Sequence, residues 1–144
     1  ARGEERMTVW RTTDGEGGPE SGQRAAAPRY DLAECDTALL RVAASSSSPW
    51  LLMAGEIDVS NAGEVARALA RARDRMPGDL HVDLTAVGFV DVAGMRAFSR
   101  AARELDAGGR MLVLHSVPFH IDRVCRLIGW SASPGLQIHC RSRA

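Results

Sequence analysis

Eight residues, Gly88-Phe89-Val90-Asp91-Val92-Ala93-Gly94-Met95, constrain this chain more than any other stretch, because they close an apolar strand and open a helix at a single Asp. A chain that passes directly from strand to helix in this way belongs among folds built from strand-helix-strand units. Asp91 is predicted to cap the helix by accepting from the N–H groups of Ala93 and Gly94, and the helix dipole leaves partial positive charge at that mouth. A partner's carboxylate or phosphate is welcome there.

The same pattern repeats along the chain. Leu39-Leu40-Arg41-Val42-Ala43 and Trp50-Leu51-Leu52-Met53-Ala54 read as a hairpin joined by Ser45-Ser46-Ser47-Ser48-Pro49, the continuous run Leu51 to Ala54 suiting a strand buried on both faces. A helix is predicted from Asn61 to about Met76, with Ala62, Val65, Ala66, Leu69 and Met76 as its apolar stripe and Asn61 and Glu64 spaced as a capping box. Its other face carries Arg67, Arg71 and Arg75, which reads as a solvated row. After Leu80-His81-Val82-Asp83-Leu84, a second helix near Ala93 to Asp106 buries Met95, Phe98, Ala102 and Leu105 and ends at Gly108. Met111 to Leu114 is a further strand, and Pro118 opens a third helix whose Ile121, Val124, Cys125 and Ile128 are expected to face inward. Leu136 to Cys140 alternates as an edge strand should. Residues 1–29 show no apolar period and contain Asp14-Gly15-Glu16-Gly17-Gly18-Pro19, so they are expected to form a disordered or loosely ordered extension ahead of a domain at 30–144. The chain begins without Met, and Met7 is a candidate start.

Composition narrows the function classes. With 18 basic and 18 acidic residues the formal charge is zero, so nothing recruits nucleic acid or anionic lipid by long-range attraction. Every basic residue is Arg, which favours bidentate carboxylate pairing at any contact face. Cys35, Cys125 and Cys140 form no CxxC and lack His at zinc spacing, which reads as reduced thiols rather than a disulfide framework or a metal site. No apolar run reaches the roughly 20 residues needed to span a bilayer, and a cytoplasmic protein is expected.

Catalytic groups are sparse. Asp58, Asp83 and Asp91 fall near strand ends and could gather around a cation, although helix capping is the simpler role. His81, His115, His120 and His139 are scattered, and there is no phosphate-binding glycine loop and no nucleophile elbow. The reading is a non-enzyme with no cofactor and no metal.

Taken in order, Gly55-Glu56-Ile57-Asp58, the first helix, Phe89-Val90-Asp91 with Gly94, the second helix and Gly108-Gly109-Arg110-Met111-Leu112-Val113-Leu114 resemble a STAS domain, the fold of bacterial anti-sigma factor antagonists, over roughly Ala38 to Cys140. The resemblance implies an α/β fold with a small, mixed, mainly parallel sheet of four or five strands and three or four helices packed on it. It also implies a regulatory protein-interaction module that binds an anti-sigma factor of the GHKL kinase type and so frees a sigma factor in transcription control. The contact surface carried over is the Phe89-to-Met95 turn with the exposed start of the second helix and the Asp58-to-Asn61 entry to the first, with Asp58, Ser60, Asn61, Asp91, Val92, Ala93, Gly94, Met95 and Arg96 as its named residues. Gly94 is expected to let the partner's backbone come close, and Arg96 to offer a charged hydrogen bond. Phospho-regulated members carry Ser or Thr directly after the Asp. Here that position is Val92, followed by Ala93, so the turn offers no hydroxyl to a kinase. Scaffold subunits of lipid or anion transport systems, and sensors of a nucleotide or lipid head group, are the alternative roles.

Overall fold

The strand order in the sheet is the strand order in the sequence, so every connection joins neighbours. A computed structural model describes residues 28–141. Within them β1 (Leu32–Asp36), β2 (Leu40–Ala44) and β3 (Trp50–Ile57) form an antiparallel meander. From β3 onward the chain climbs by parallel crossovers, through α1 (Ala62–Arg75), β4 (Leu80–Val90), α2 (Val92–Asp106), β5 (Leu112–Val117), α3 (Phe119–Leu127), a 3-10 turn at Trp130–Ala132 and β6 (Leu136–Cys140).

The sheet therefore has six strands where four or five were expected, because Leu32–Asp36 adds itself to the β2 edge. Its five residues alternate too weakly to announce a strand; pairing with β2 places them there, and a partly exposed ion cluster ties them to α1. Glu34, whose side chain is 8% exposed, accepts from Arg71 Nε at 2.6 Å and lies 3.7 Å from Arg75 Nη1. Two arginines of the presumed solvated row on α1 are thus ties to the edge strand. Of the expectation for residues 1–29, all but 28 and 29 lie outside the described residues.

One core lies between the sheet and its helices. Leu40, Val42, Leu51, Met53, Leu80, Val82, Leu112 and Leu114 point into it from the strands, and Val65, Leu69, Phe98, Leu105, Ile121 and Cys125 answer from the helices. Alternation sends Leu52 and Ala54 to the opposite face, where they are half-buried, so the Leu51 to Ala54 run is not enclosed on both sides. On α1 the buried residues are Val65, Ala68, Leu69 and Ala72, while Ala66 is exposed. An Ala-rich helix has several equivalent stripes, and the sheet selects among them. On α3 only Ile121, Asp122 and Cys125 are buried; Val124 and Ile128 stay exposed because this nine-residue helix reaches the core with little more than one turn.

Gly55 shows why the meander can turn into the parallel half. Its φ is +121°, and a Cβ there would collide with the Leu39 carbonyl oxygen, which itself accepts from Glu56 N–H at 3.0 Å.

Candidate functional site

Parallel strands place their following helices at one edge of the sheet, so the start of α1 and the start of α2 lie side by side. Register pairs Ile57 with Val90, and Asp91 N–H donates to Ile57 O at 3.0 Å, locking the two junctions together. The residues predicted at both helix starts are therefore neighbours in space.

Each junction is held by its own polar residue. At α2, Asp91 sits in extended backbone and its Oδ1 accepts from Gly94 N–H at 3.0 Å, the cap expected from sequence with one of its two donors. At α1, the capping box does not form. Asn61, 6% exposed, turns back: its Oδ1 accepts from Asp58 N–H at 3.0 Å and its Nδ2 donates to Glu56 O at 2.9 Å, so it braces the loop rather than the helix. Asp58 Oδ1 accepts from both the backbone and the hydroxyl of Ser60, at 2.9 and 2.6 Å, and these hydrogen bonds hold its carboxyl below the usual range.

What this edge offers to solvent is apolar. Val59 is 78% exposed, Val92 50% and Phe89 46%, the latter two flanking the capped Asp91, with Ser60 and Arg96 also exposed beside them. Gly94 and Met95, expected on the contact surface, are buried. A Cβ at Gly94 would stand 2.6 Å from Ile57 Cγ2 and 2.8 Å from Val90 Cγ1, so this glycine lets α2 settle onto the strand ends, and no partner's backbone reaches it. Val59 and Phe89 fall within the two expected segments, Asp58 to Asn61 and Phe89 to Met95, and what the structure adds is that their apolar side chains are the ones turned to solvent.

The three carboxylates do not gather. Asp83 lies inside β4, where its Oδ1 accepts from the N–H and hydroxyl of Thr85 at 2.9 and 2.6 Å, while Asp58 and Asp91 serve their own loops. Among the described residues, no group of three or more His, Cys, Asp or Glu is placed to hold a metal ion. Ser99, buried, shares a hydrogen bond of 2.9 Å with Ser133. Three of the four histidines, by contrast, are brought together. On the face away from the helices Trp50, His81, His115 and His139 form a stacked cluster, with centroid separations of 4.8 Å for Trp50 and His81, 4.6 Å for Trp50 and His115, 5.1 Å for His81 and His115, and 5.5 Å for His115 and His139. His81 Nδ1 and His115 Nε2 share a hydrogen bond of 2.9 Å. Burial pushes His81 down to about 4 and His115 to about 3, so both rings are neutral near pH 7.

A mixed sheet with helices packed on it, two helix starts side by side at one edge and exposed apolar side chains beside them define a small α/β domain built from strand-helix-strand units. The family model described as "Mlab, STAS domain" matches residues 40–137, and the chain belongs to this STAS domain family. None of the curated proteins compared matches it. Solved structures share the fold. An anti-sigma factor antagonist from Mycobacterium paratuberculosis is 22% identical, with a TM-score of 0.53 over 61% of this chain and 74% of that one. SiaC of Pseudomonas aeruginosa is 15% identical, with a TM-score of 0.54 over 78% and 98% of the respective chains. A candidate anti-sigma factor antagonist from Thermotoga maritima is 14% identical, with a TM-score of 0.51 over 64% and 80%. Among the described residues no helix is long and apolar enough to cross a membrane.

Proposed function

We propose that this chain is a non-catalytic anti-sigma factor antagonist that docks its paired helix mouths on an anti-sigma factor of the GHKL kinase type and so releases a sigma factor. The observation that carries this reading is the exposed apolar group Val59, Phe89 and Val92 around the capped mouth of α2. A buried contact centre needs apolar side chains ringed by polar ones, and Ser60, Asp58 and Arg96 supply that ring. The partner-binding set is then Asp58, Ser60, Asp91, Val92, Ala93 and Arg96, extended by Val59 and Phe89, with Asn61, Gly94 and Met95 supporting it from within.

Val92 gives the reading its second half. A phosphate just after the capping Asp would bring about two negative charges to the contact. Val92 and Ala93 cannot accept one, so this domain stays competent to bind, and partner exchange rests on affinity and abundance.

Affinity capture with the host's own anti-sigma factors tests the proposal. Phe89→Asp and Val92→Asp are expected to weaken capture by about tenfold or more, because each places a charge at the centre of an apolar contact. Undiminished capture by both variants removes the rim from the interface, and recovery of transport subunits in place of an anti-sigma factor transfers the module to that role. Incubation with the partner kinase and ATP is expected to leave the turn unmodified, and Val92→Ser to restore modification.

A further inference from the structure

The helices that open at the rim leave a groove between them. It has a volume of about 440 Å³ and runs between α1 and α2, floored by Ala66, Ala70 and Ala101 with Leu69 and Leu105 beneath. Small side chains on both facing helices keep the groove from filling. Its walls carry three arginines, Arg67, Arg73 and Arg100, against one carboxylate, Glu104.

Those arginines are unequally occupied. Arg73 Nη1 pairs with Glu104 Oε1 at 2.7 Å, a bridge from α1 to α2 that closes the end of the groove away from the rim. Arg67 pairs at 2.7 Å with Glu64 on its own helix, a solvent-exposed contact that a competing carboxylate displaces at little cost. Among the described residues Arg100 has no carboxylate within ion-pair distance. Arg100 therefore leaves uncompensated positive charge above an apolar floor, with Arg67 beside it held only by an exposed pair, at the half of the groove nearer the rim.

We propose that this groove seats an acidic segment of a protein partner, with an apolar side chain laid on Ala66, Ala70 and Ala101 and a carboxylate held by Arg100 and Arg67. The inference rests on the reading of the chain as a protein-interaction module and adds a second surface to it. Charge complementarity selects the occupant. Guanidinium forks pair carboxylates bidentately, and an apolar floor without a polar side chain gives a small polar molecule nothing to orient it. A segment that enters from the rim meets the open end first and stops at the Arg73–Glu104 bridge.

The test titrates the whole isotope-labelled chain with a short acetylated peptide of Glu, Leu and Ala, and with versions in which every Glu is Arg or every Leu is Ser. The acidic peptide is expected to shift the amides of Ala66, Ala70 and Ala101 and the side-chain Nε of Arg100 saturably, while the other two peptides do not. Arg100→Glu is expected to weaken that binding by about threefold or more and to bind the Arg peptide instead. Ala66→Leu, a change on an exposed helix face, is expected to block the floor without unfolding the chain. Absence of saturable shifts overturns the proposal. So do equal shifts at arginines outside the groove such as Arg123, undiminished binding of the Ser version, or the same response to free acetate or inorganic phosphate. Val92→Asp leaves groove binding intact, so failure of the groove and failure of the rim are separate results.

Discussion

At the scale of single residues, Gly94 shows how one missing side chain positions a whole contact surface. Its absent Cβ lets α2 lie against Ile57 and Val90, which holds Val92 outward and Met95 inward. Gly94→Ala separates two opposing effects. Helix propensity favours Ala by about 1 kcal/mol, whereas forcing a methyl against two stiff β-branched side chains costs about 1–3 kcal/mol. Clash is expected to win, with a net loss of about 1 kcal/mol read as a lower midpoint in urea denaturation. An unchanged or raised midpoint would show that the strand ends give way freely. The cap at Asp91 was legible from sequence because it depends on residues three apart, whereas the inward role of Gly94 depends on Ile57, far away in the chain.

At the scale of elements, the end of α1 depends on a residue from the next crossover. Arg110 Nε donates to Gly78 O at 2.7 Å, Nη2 to Met76 O at 2.5 Å and Nη1 to Arg73 O at 3.3 Å, so one guanidinium satisfies carbonyls that the helix terminus leaves open. Arg110→Ala is expected to cost about 2 kcal/mol, and Arg110→Lys to recover only part of it because an ammonium lacks the planar fork. Thermal melts of the two variants check this; equal stability of wild type and Ala would assign the carbonyls to water. Helix lengths and strand sites were readable from periodicity alone. The edge strand β1 was not, since its own pattern is weak and both its pairing with β2 and its ion pairs to α1 join it to distant residues.

At the scale of the whole molecule, the stacked histidines tie stability to pH. In the unfolded chain both rings titrate near 6.5, and in the folded chain His81 and His115 are held to about 4 and 3 by burial, with His139 adding to the depression and Asp79 opposing it at His81. The unfolded state therefore binds more protons between those values. Their contribution is complete above about pH 6.5 and is lost progressively as pH falls toward their folded values. Going from about pH 7 to about pH 5 is expected to remove about 4 kcal/mol, about 2 from each ring, and His81→Phe to remove about half of that slope. Chemical denaturation at the two pH values measures it, and a pH-independent wild type would sink the assignment.

Local chemistry is what the sequence by itself determined: three helices, the parallel strands between them, the capped Asp91 and a turn at Val92 that can bear no phosphate. Each follows from covalent structure or from spacings of a few residues, where backbone geometry leaves little choice. Tertiary structure alone decided which alanines of α1 face the sheet, that Asn61 braces a loop, that three histidines share one cluster, and that arginines of two helices border one groove. These features join residues far apart in the chain, and their distances exist only once the core between sheet and helices has closed.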